Sequence, residues 1–522
     1  MKIKLVNSIF YLYILLILGS VAIRIFNLFA PIAYYPFAIF WSESGRIYNS
    51  YQIFNLFGAD AIESFPWLDP ARAILDSLAF LIPSVTILKW RVWVASISII
   101  TMAVTSFLIV LRAIRNQKLM PARRLIFLIL FTLFGTLFFF QGPIYAHLLT
   151  GIVPILLFYR QDKPKITLII VAICAIWSGL TRVNWFFMPA IIASLLYVLK
   201  QPRQKMPAWR YFCWPFIWGM TNLIISLPIY FWALGKANQP SILNPELKYG
   251  FEVAKLWPNA GYTFGLIPGI FLVTAPMLFI IMRYLWLQRH SIDKLRIAFL
   301  LLLLSGLAAG STLMSLRAGG GFDLHNYDTV LLVVFIIAIQ IGFREVQPDE
   351  DNIFSGSIFF HPITIGILLI VPIFLSVRAI KPAPVYDYVA AQDAIKNINL
   401  ALKENASKQE SQVLFIDYRP LVVFGQVPPR PIYNSYEKVE LMEMAMAQNK
   451  LYFQQFTDTL SQHKFDLIIT PLLWQGEQLQ GENPFWYENN SWSNYVVAPI
   501  LEYYESGYTN READLQIYYP KP

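Results

Sequence analysis

A succession of apolar blocks dictates what this chain can become, because each is close to the roughly 20 residues an α-helix needs to cross a hydrocarbon core about 30 Å thick. Backbone N–H and C=O groups in lipid must be satisfied within their own segment, so these blocks are expected to be membrane-spanning helices. Eleven are legible, at about 8–30, 90–111, 125–141, 145–159, 166–181, 183–199, 211–233, 263–283, 296–315, 328–343 and 358–378. Hydrophobic residues make up 57% of the chain and charged residues only 14%, which sets it apart from soluble domains. The expected fold class is a polytopic α-helical membrane protein of about 11 transmembrane helices with a C-terminal soluble α/β domain.

The formal net charge of +9 does not point to nucleic acid, because the basic residues cluster in short loops at 112–124, 160–165, 200–210 and 283–296. With eleven spans all of these loops fall on one side, which the positive-inside rule makes the cytoplasm. The first span has no small-residue cleavage site after it and reads as a retained anchor. The N-terminus is then inside, and loops 31–89 and 234–262, the stretch 316–327 and the tail are outside. Cys174 and Cys213 lie in apolar blocks and suggest neither a disulfide framework nor a thiolate metal site.

In the first outer loop, Ile47, Tyr51 and Phe54 and then Ile74, Leu78 and Leu81 fall near helical spacing, predicting two amphipathic helices on the membrane surface. Asp69 before Pro70 reads as a helix cap with proline at the first helical position. From about residue 381 the sequence turns polar and mixed, which divides the chain into a 1–380 membrane body and a 381–522 domain. In the tail, helices are expected at 386–404 and 437–463, with strands at 412–417, 466–470 and 515–519, favouring a largely parallel sheet.

The candidate chemistry lies on the outer face. Glu43, between the first span and a surface helix, is placed to accept a proton from a hydroxyl. In 317–328, Arg317 precedes Gly319, Gly320 and Gly321 and the polar group Asp323, His325, Asn326 and Asp328. Glycine amides and an arginine fork together suit an anion such as phosphate. Arg182 and Asn184 interrupt apolar sequence at an outer turn and call for a partner such as a lipid phosphate or a carboxylate. His147 reads as a pocket-lining residue, and Asp60, Glu63 and Asp69 complete the outer acids.

This pattern resembles the GT-C superfamily of membrane glycosyltransferases. The residues that carry the resemblance are Trp41-Ser42-Glu43 with Tyr48, Thr181-Arg182-Val183-Asn184-Trp185, Gly319-Gly320-Gly321 through Asp328, and Glu440 to Ala445. It implies inverting transfer of a hexosyl or pentosyl unit from a polyprenyl-phosphate-linked sugar to an acceptor hydroxyl on a glycan, lipid or protein, at the outer face of a bacterial cytoplasmic membrane. Glu43 would be the catalytic residue, with Arg317, the three glycines and Arg182 on the donor phosphate. His325, Asn326, Asp328, His147 and Tyr48 would bind sugar or acceptor. Ser42 stands where the family often has a first acid, which leaves dependence on Mg²⁺ or Mn²⁺ open. A transporter or lipid flippase, or a noncatalytic envelope assembly protein, is the alternative class.

Overall fold

The computed structural model describes residues 2–56, 69–117, 119–204, 206–236, 249–349, 362–405, 412–428, 433–480 and 483–522; Asp60 and Glu63 lie outside them. Among the described residues, eight helices are long and apolar enough to cross a membrane, and three shorter apolar helices accompany them at Ala146–Phe158, Pro164–Gly179 and Pro362–Arg378. The block expected at 145–159 is broken at Gly151 and Ile152, where Pro154 opens the second piece, Val153–Phe158. Proline suits a first turn because it has no N–H to lose there.

Helix Asp328–Gly342 is buried along its whole length and forms the axis of the body. A helix apolar on every side has to be surrounded. It packs against Leu266–Leu287, Lys294–Leu316 and Pro121–Phe139. Phe335 on the axis meets Phe134, Phe138 and Phe139 with ring centroids 6.1, 6.0 and 5.1 Å apart.

Four helices begin the chain: α1 (Lys2–Phe29), α2 (Glu43–Leu56), α3 (Pro70–Ser77) and α4 (Ile87–Ile114). The strap between α1 and α2 is held by Arg91 of α4. Its Nε and Nη2 fork onto both oxygens of Glu43 at 3.0 and 2.8 Å, Nη1 donates to the carbonyls of Ala33 and Tyr35, and Nη2 also donates to that of Phe37. Five N–H groups thus find five acceptors, the full capacity of a guanidinium. Both side chains of the ion pair are only 1% exposed.

The C-terminal residues build a four-stranded sheet from β1 (Val413–Phe415), β2 (Leu467–Thr470), β3 (Tyr504–Asn510) and β4 (Leu515–Pro520), in the order β1-β2-β4-β3. Only β1 and β2 are parallel; β2 with β4 and β4 with β3 are antiparallel, so the sheet is mixed rather than largely parallel. The unanticipated β3 is an exposed edge strand hairpinned to β4, and its polar Tyr-Glu-Ser-Gly sequence hides the apolar alternation that marks a strand. The helix expected at 437–463 is two, Lys438–Met446 and Lys450–Ser461. Gln448 turns left-handed between them and the Asn449 side chain caps the second by accepting from Tyr452 N.

The sheet's core is not its own. Phe37 and Tyr48, from the segment between α1 and α3, are buried with Val413, Phe415, Leu467 and Ile469. At the carboxyl end of β1, Arg419 N donates to Ser44 Oγ and its guanidinium lies 5.0 Å from the Tyr48 ring centroid. Asn434 accepts from both Tyr48 and Gln52, and Lys438 Nζ sits 4.3 Å above Trp41. Gly45 permits the close approach: a Cβ there would stand 2.7 Å from Glu437 Oε1. In open α/β sheets the carboxyl ends of parallel strands form the usual ligand crevice. Here α2 fills it.

Removing one partner of a buried ion pair costs about 3–5 kcal/mol. Arg91→Met should lower stability by that order, and Arg91→Lys should restore less than half, since an ammonium cannot serve five fixed acceptors. Thermal unfolding in detergent, followed by tryptophan fluorescence, reads both; an unchanged midpoint for Arg91→Met would refute this role.

Candidate functional site

The site grows from the start of α3. Pro70 occupies the first turn, and Asp69 before it is held left-handed at φ 48°, a conformation few non-glycine residues adopt. Asp69 does not use its side chain as a cap. Its Oδ2 instead faces His147 Nε2 at 3.7 Å and Arg182 Nε at 3.6 Å. These contacts are longer than hydrogen bonds, so the carboxylate keeps its acceptor capacity, and His147 Nε2 is buried with no hydrogen-bond partner. The Ala71 N–H donates to Leu180 O, tying α3 to the turn that carries Arg182.

Tyr145 joins the elements. Its ring carries the Arg72 guanidinium 4.5 Å and the Arg182 guanidinium 4.4 Å from its centroid, and lies nearly parallel to the His147 ring. Arg182 is shared among Asp69, Asn326 Oδ1 at 3.5 Å and Asp328 Oδ2 at 3.9 Å. Arg72, by contrast, forms no ion pair among the described residues. Burial, reinforced by the nearby Arg46, brings its pKa down to about 10, which leaves it cationic at neutral pH.

Two cavities meet at this point. One, of about 270 Å³, is largely apolar, bounded by Leu28, Ile32, Val94 and Met102, and ends at Arg46, Arg72 and His147. The other, of about 300 Å³, is more polar, with Asp69, Arg182, His325 and Asn326 from the membrane body and Glu443 from the C-terminal domain among its walls. Arg72 and Tyr145 line both.

The residues singled out in the sequence divide accordingly. Arg182, His147, His325, Asn326 and Asp328 are brought together. Asp328 is fully buried at the start of the axial helix, where it accepts from Trp185 Nε1 at 2.8 Å and Thr329 N at 2.7 Å. Asn326 donates to Gly320 O at 2.6 Å, and the His325 ring bonds Asp323. Tyr48 lies apart, at the seam with the C-terminal domain. Glu43 borders the apolar cavity, with both oxygens engaged by Arg91 and Oε2 also taking the Ile39 N–H.

The glycine run is a docking turn as much as a chamber wall. Gly319, at φ +75°, donates its N–H to Glu488, and a Cβ there would stand 2.4 Å from Met446. Arg317 Nη2 donates to Glu443 Oε2 at 2.8 Å, and its guanidinium lies 4.1 Å from the Tyr249 ring centroid. Burial lifts the Glu443 carboxyl above the usual carboxylate range against the pull of Arg317.

No group of three or more His, Cys, Asp and Glu among the described residues is arranged to hold a metal ion. Asp69 and Asp328 converge on the Arg182 guanidinium, so a fixed cation stands where two carboxylates would otherwise share a divalent one. The donor set does not fit Mg²⁺ or Mn²⁺.

Arg72, Tyr145 and Glu443 are the residues that sequence reasoning left out of the site, while Asp69 was read there as an outer acid and a helix cap without a role in the chemistry. Arg72 carried a signal: a cation in the first helical turn opposes the helix dipole. Glu443 carried none, because its partner lies 126 residues away in the chain. No protein-family model and no curated protein matches the chain.

The seam beneath the site responds to pH. Glu437 caps helix Lys438–Met446, accepting from Val439 N, and burial together with Asp417 outweighs Arg419 to raise its pKa from 4.5 to about 7. A carboxyl with a raised folded-state pKa favours folding while protonated, so this contribution is complete below pH 4.5 and fades as pH rises through 7. The unfolding midpoint of Glu437→Gln should therefore gain on that of the native protein between pH 5 and 8; parallel profiles would contradict the assignment.

Proposed function

We propose that this chain is a GT-C-type glycosyltransferase that moves a sugar from a polyprenyl-phosphate-linked donor to an acceptor hydroxyl at the outer membrane face. The single observation that carries the reading is the meeting of an apolar groove and a more polar chamber at Arg72, a half-buried cation with no ion-pair partner among the described residues, stacked on Tyr145. A lipid tail joined through phosphate to a sugar has the same three parts in the same order. The three shorter apolar helices complete eleven spans in this reading. The basic loops then lie inside, and the chamber and C-terminal domain outside.

The tail occupies the groove, the phosphate rests on Arg72 with Arg46 behind it, and the sugar enters the chamber. Asp69 takes the proton as the acceptor oxygen attacks the anomeric carbon. The bond from that carbon to the phosphate oxygen breaks, and the departing phosphate keeps the electron pair. Arg72 and Arg182 stabilise its growing charge in a site shielded from water. One displacement inverts the anomeric centre. Asp69 suits the base role better than Glu43, because Arg91 already occupies both Glu43 oxygens. Glu43 acts by holding the strap that walls the groove.

With a polyprenyl-phosphate hexose and a glycan acceptor, release of polyprenyl phosphate by purified protein measures turnover. Asp69→Asn should lower it by about 10²–10⁴-fold, and Arg72→Gln by about 10²–10³-fold, with both variants folded. Full turnover by Asp69→Asn would remove Asp69 from the mechanism.

A further inference from the structure

The chamber holds a second arginine whose donors outnumber its partners. Arg317 gives Nη2 to Glu443, while its Nε and Nη1 are buried without any hydrogen-bond partner. Leaving buried donors unmet is costly, so an arrangement that keeps two of them on one side chain calls for a ligand. The Tyr249 ring, with its centroid 4.1 Å from the guanidinium carbon, covers one face of the guanidinium plane. Arg317 and Arg72 line the same chamber.

We infer that Arg317 is a second anion site, which recognises a negatively charged group on the acceptor rather than the donor's phosphate. The inference rests on the transferase reading for the word acceptor, but not for the site itself. Once Glu443 releases it, Nη2 forms a planar two-donor edge with Nε on one side or with Nη1 on the other, and either edge matches an anion with two oxygens, a carboxylate or a phosphate ester. Glu443 stands in for that anion, accepting from Nη2 alone. Its carboxylate reaches the chamber from the C-terminal domain, so the domain contributes directly to acceptor choice. Gly319 belongs to the same device, since a Cβ there would stand 2.4 Å from Met446 and 3.3 Å from Oε1 of the Glu443 carboxylate that holds Arg317.

The test is calorimetric binding to the full-length chain in detergent without lipid donor, using glucose, glucuronate and glucose 6-phosphate. Both charged sugars should bind at least about tenfold more tightly than glucose, as a charge-assisted pair of hydrogen bonds implies. The ratio of glucuronate to glucose 6-phosphate affinity identifies which oxyanion the fork prefers. Glu443→Gln should tighten the charged sugars severalfold by removing the internal competitor; a purely structural latch predicts no gain. Arg317→Gln combined with Glu443→Gln leaves no buried unpaired charge and should bind all three sugars alike. Equal binding of all three by the native chain overturns the inference. So does a preference that Arg72→Gln abolishes and the double variant keeps, since the anion would then sit at the donor's phosphate position. Neither result touches donor turnover, which stands or falls with Asp69 and Arg72.

Discussion

The rest of the candidate site depends on the saturation of Arg91. Its five donors are spent on Glu43 and on three carbonyls of the strap leaving the first helix. A buried guanidinium that found fewer acceptors would carry a large desolvation penalty, so the strap has one acceptable path over α4. That path fixes where α2 starts, and α2 fixes the rest: it presents Ser44, Tyr48 and Gln52 to the C-terminal domain and lies against α3, which carries Asp69 and Arg72. The candidate chemistry is thus two steps removed from the interaction that positions it.

The chamber is composite in the same sense. Its floor comes from outer turns of the membrane body, one wall from the first loop, and its roof from helix Lys438–Met446. Each contributor is charged where it faces the others, and the pairs alternate in sign: Asp69 with Arg182, Arg182 with Asp328, Arg317 with Glu443. Alternation lets Arg182 and Arg317 share the chamber with little mutual repulsion. Arg72, left outside the pairing, is where a further negative charge is best received.

What the sequence revealed follows from the range over which each feature is determined. Helical spans are set by twenty neighbouring residues, and among the described residues the apolar blocks fall on helices, eight of them long and apolar enough to cross a membrane. The convergence of Arg182, His147, His325, Asn326 and Asp328 was legible because all stand at ends of apolar blocks expected on one face. The edge strand β3 was not, since an exposed strand has little apolar pattern to show. Nor was the division of labour between Glu43 and Asp69. Both are acids of the first loop, and only the position of Arg91, 48 residues on, separates the sequestered carboxylate from the available one. Tyr48 illustrates the opposite error, since a residue near a motif can belong to a different surface.

The crevice at the carboxyl end of β1, closed by α2, bears on how such a chain can change over time. Two segments almost four hundred residues apart form one surface, with Gly45 admitting Glu437 and Ser44 meeting the Arg419 backbone. Neither can be exchanged for a relative's counterpart alone. A hybrid that takes its membrane half from one parent and its tail from another would bring together mismatched halves of a lock, so inheritance at this seam is all or nothing.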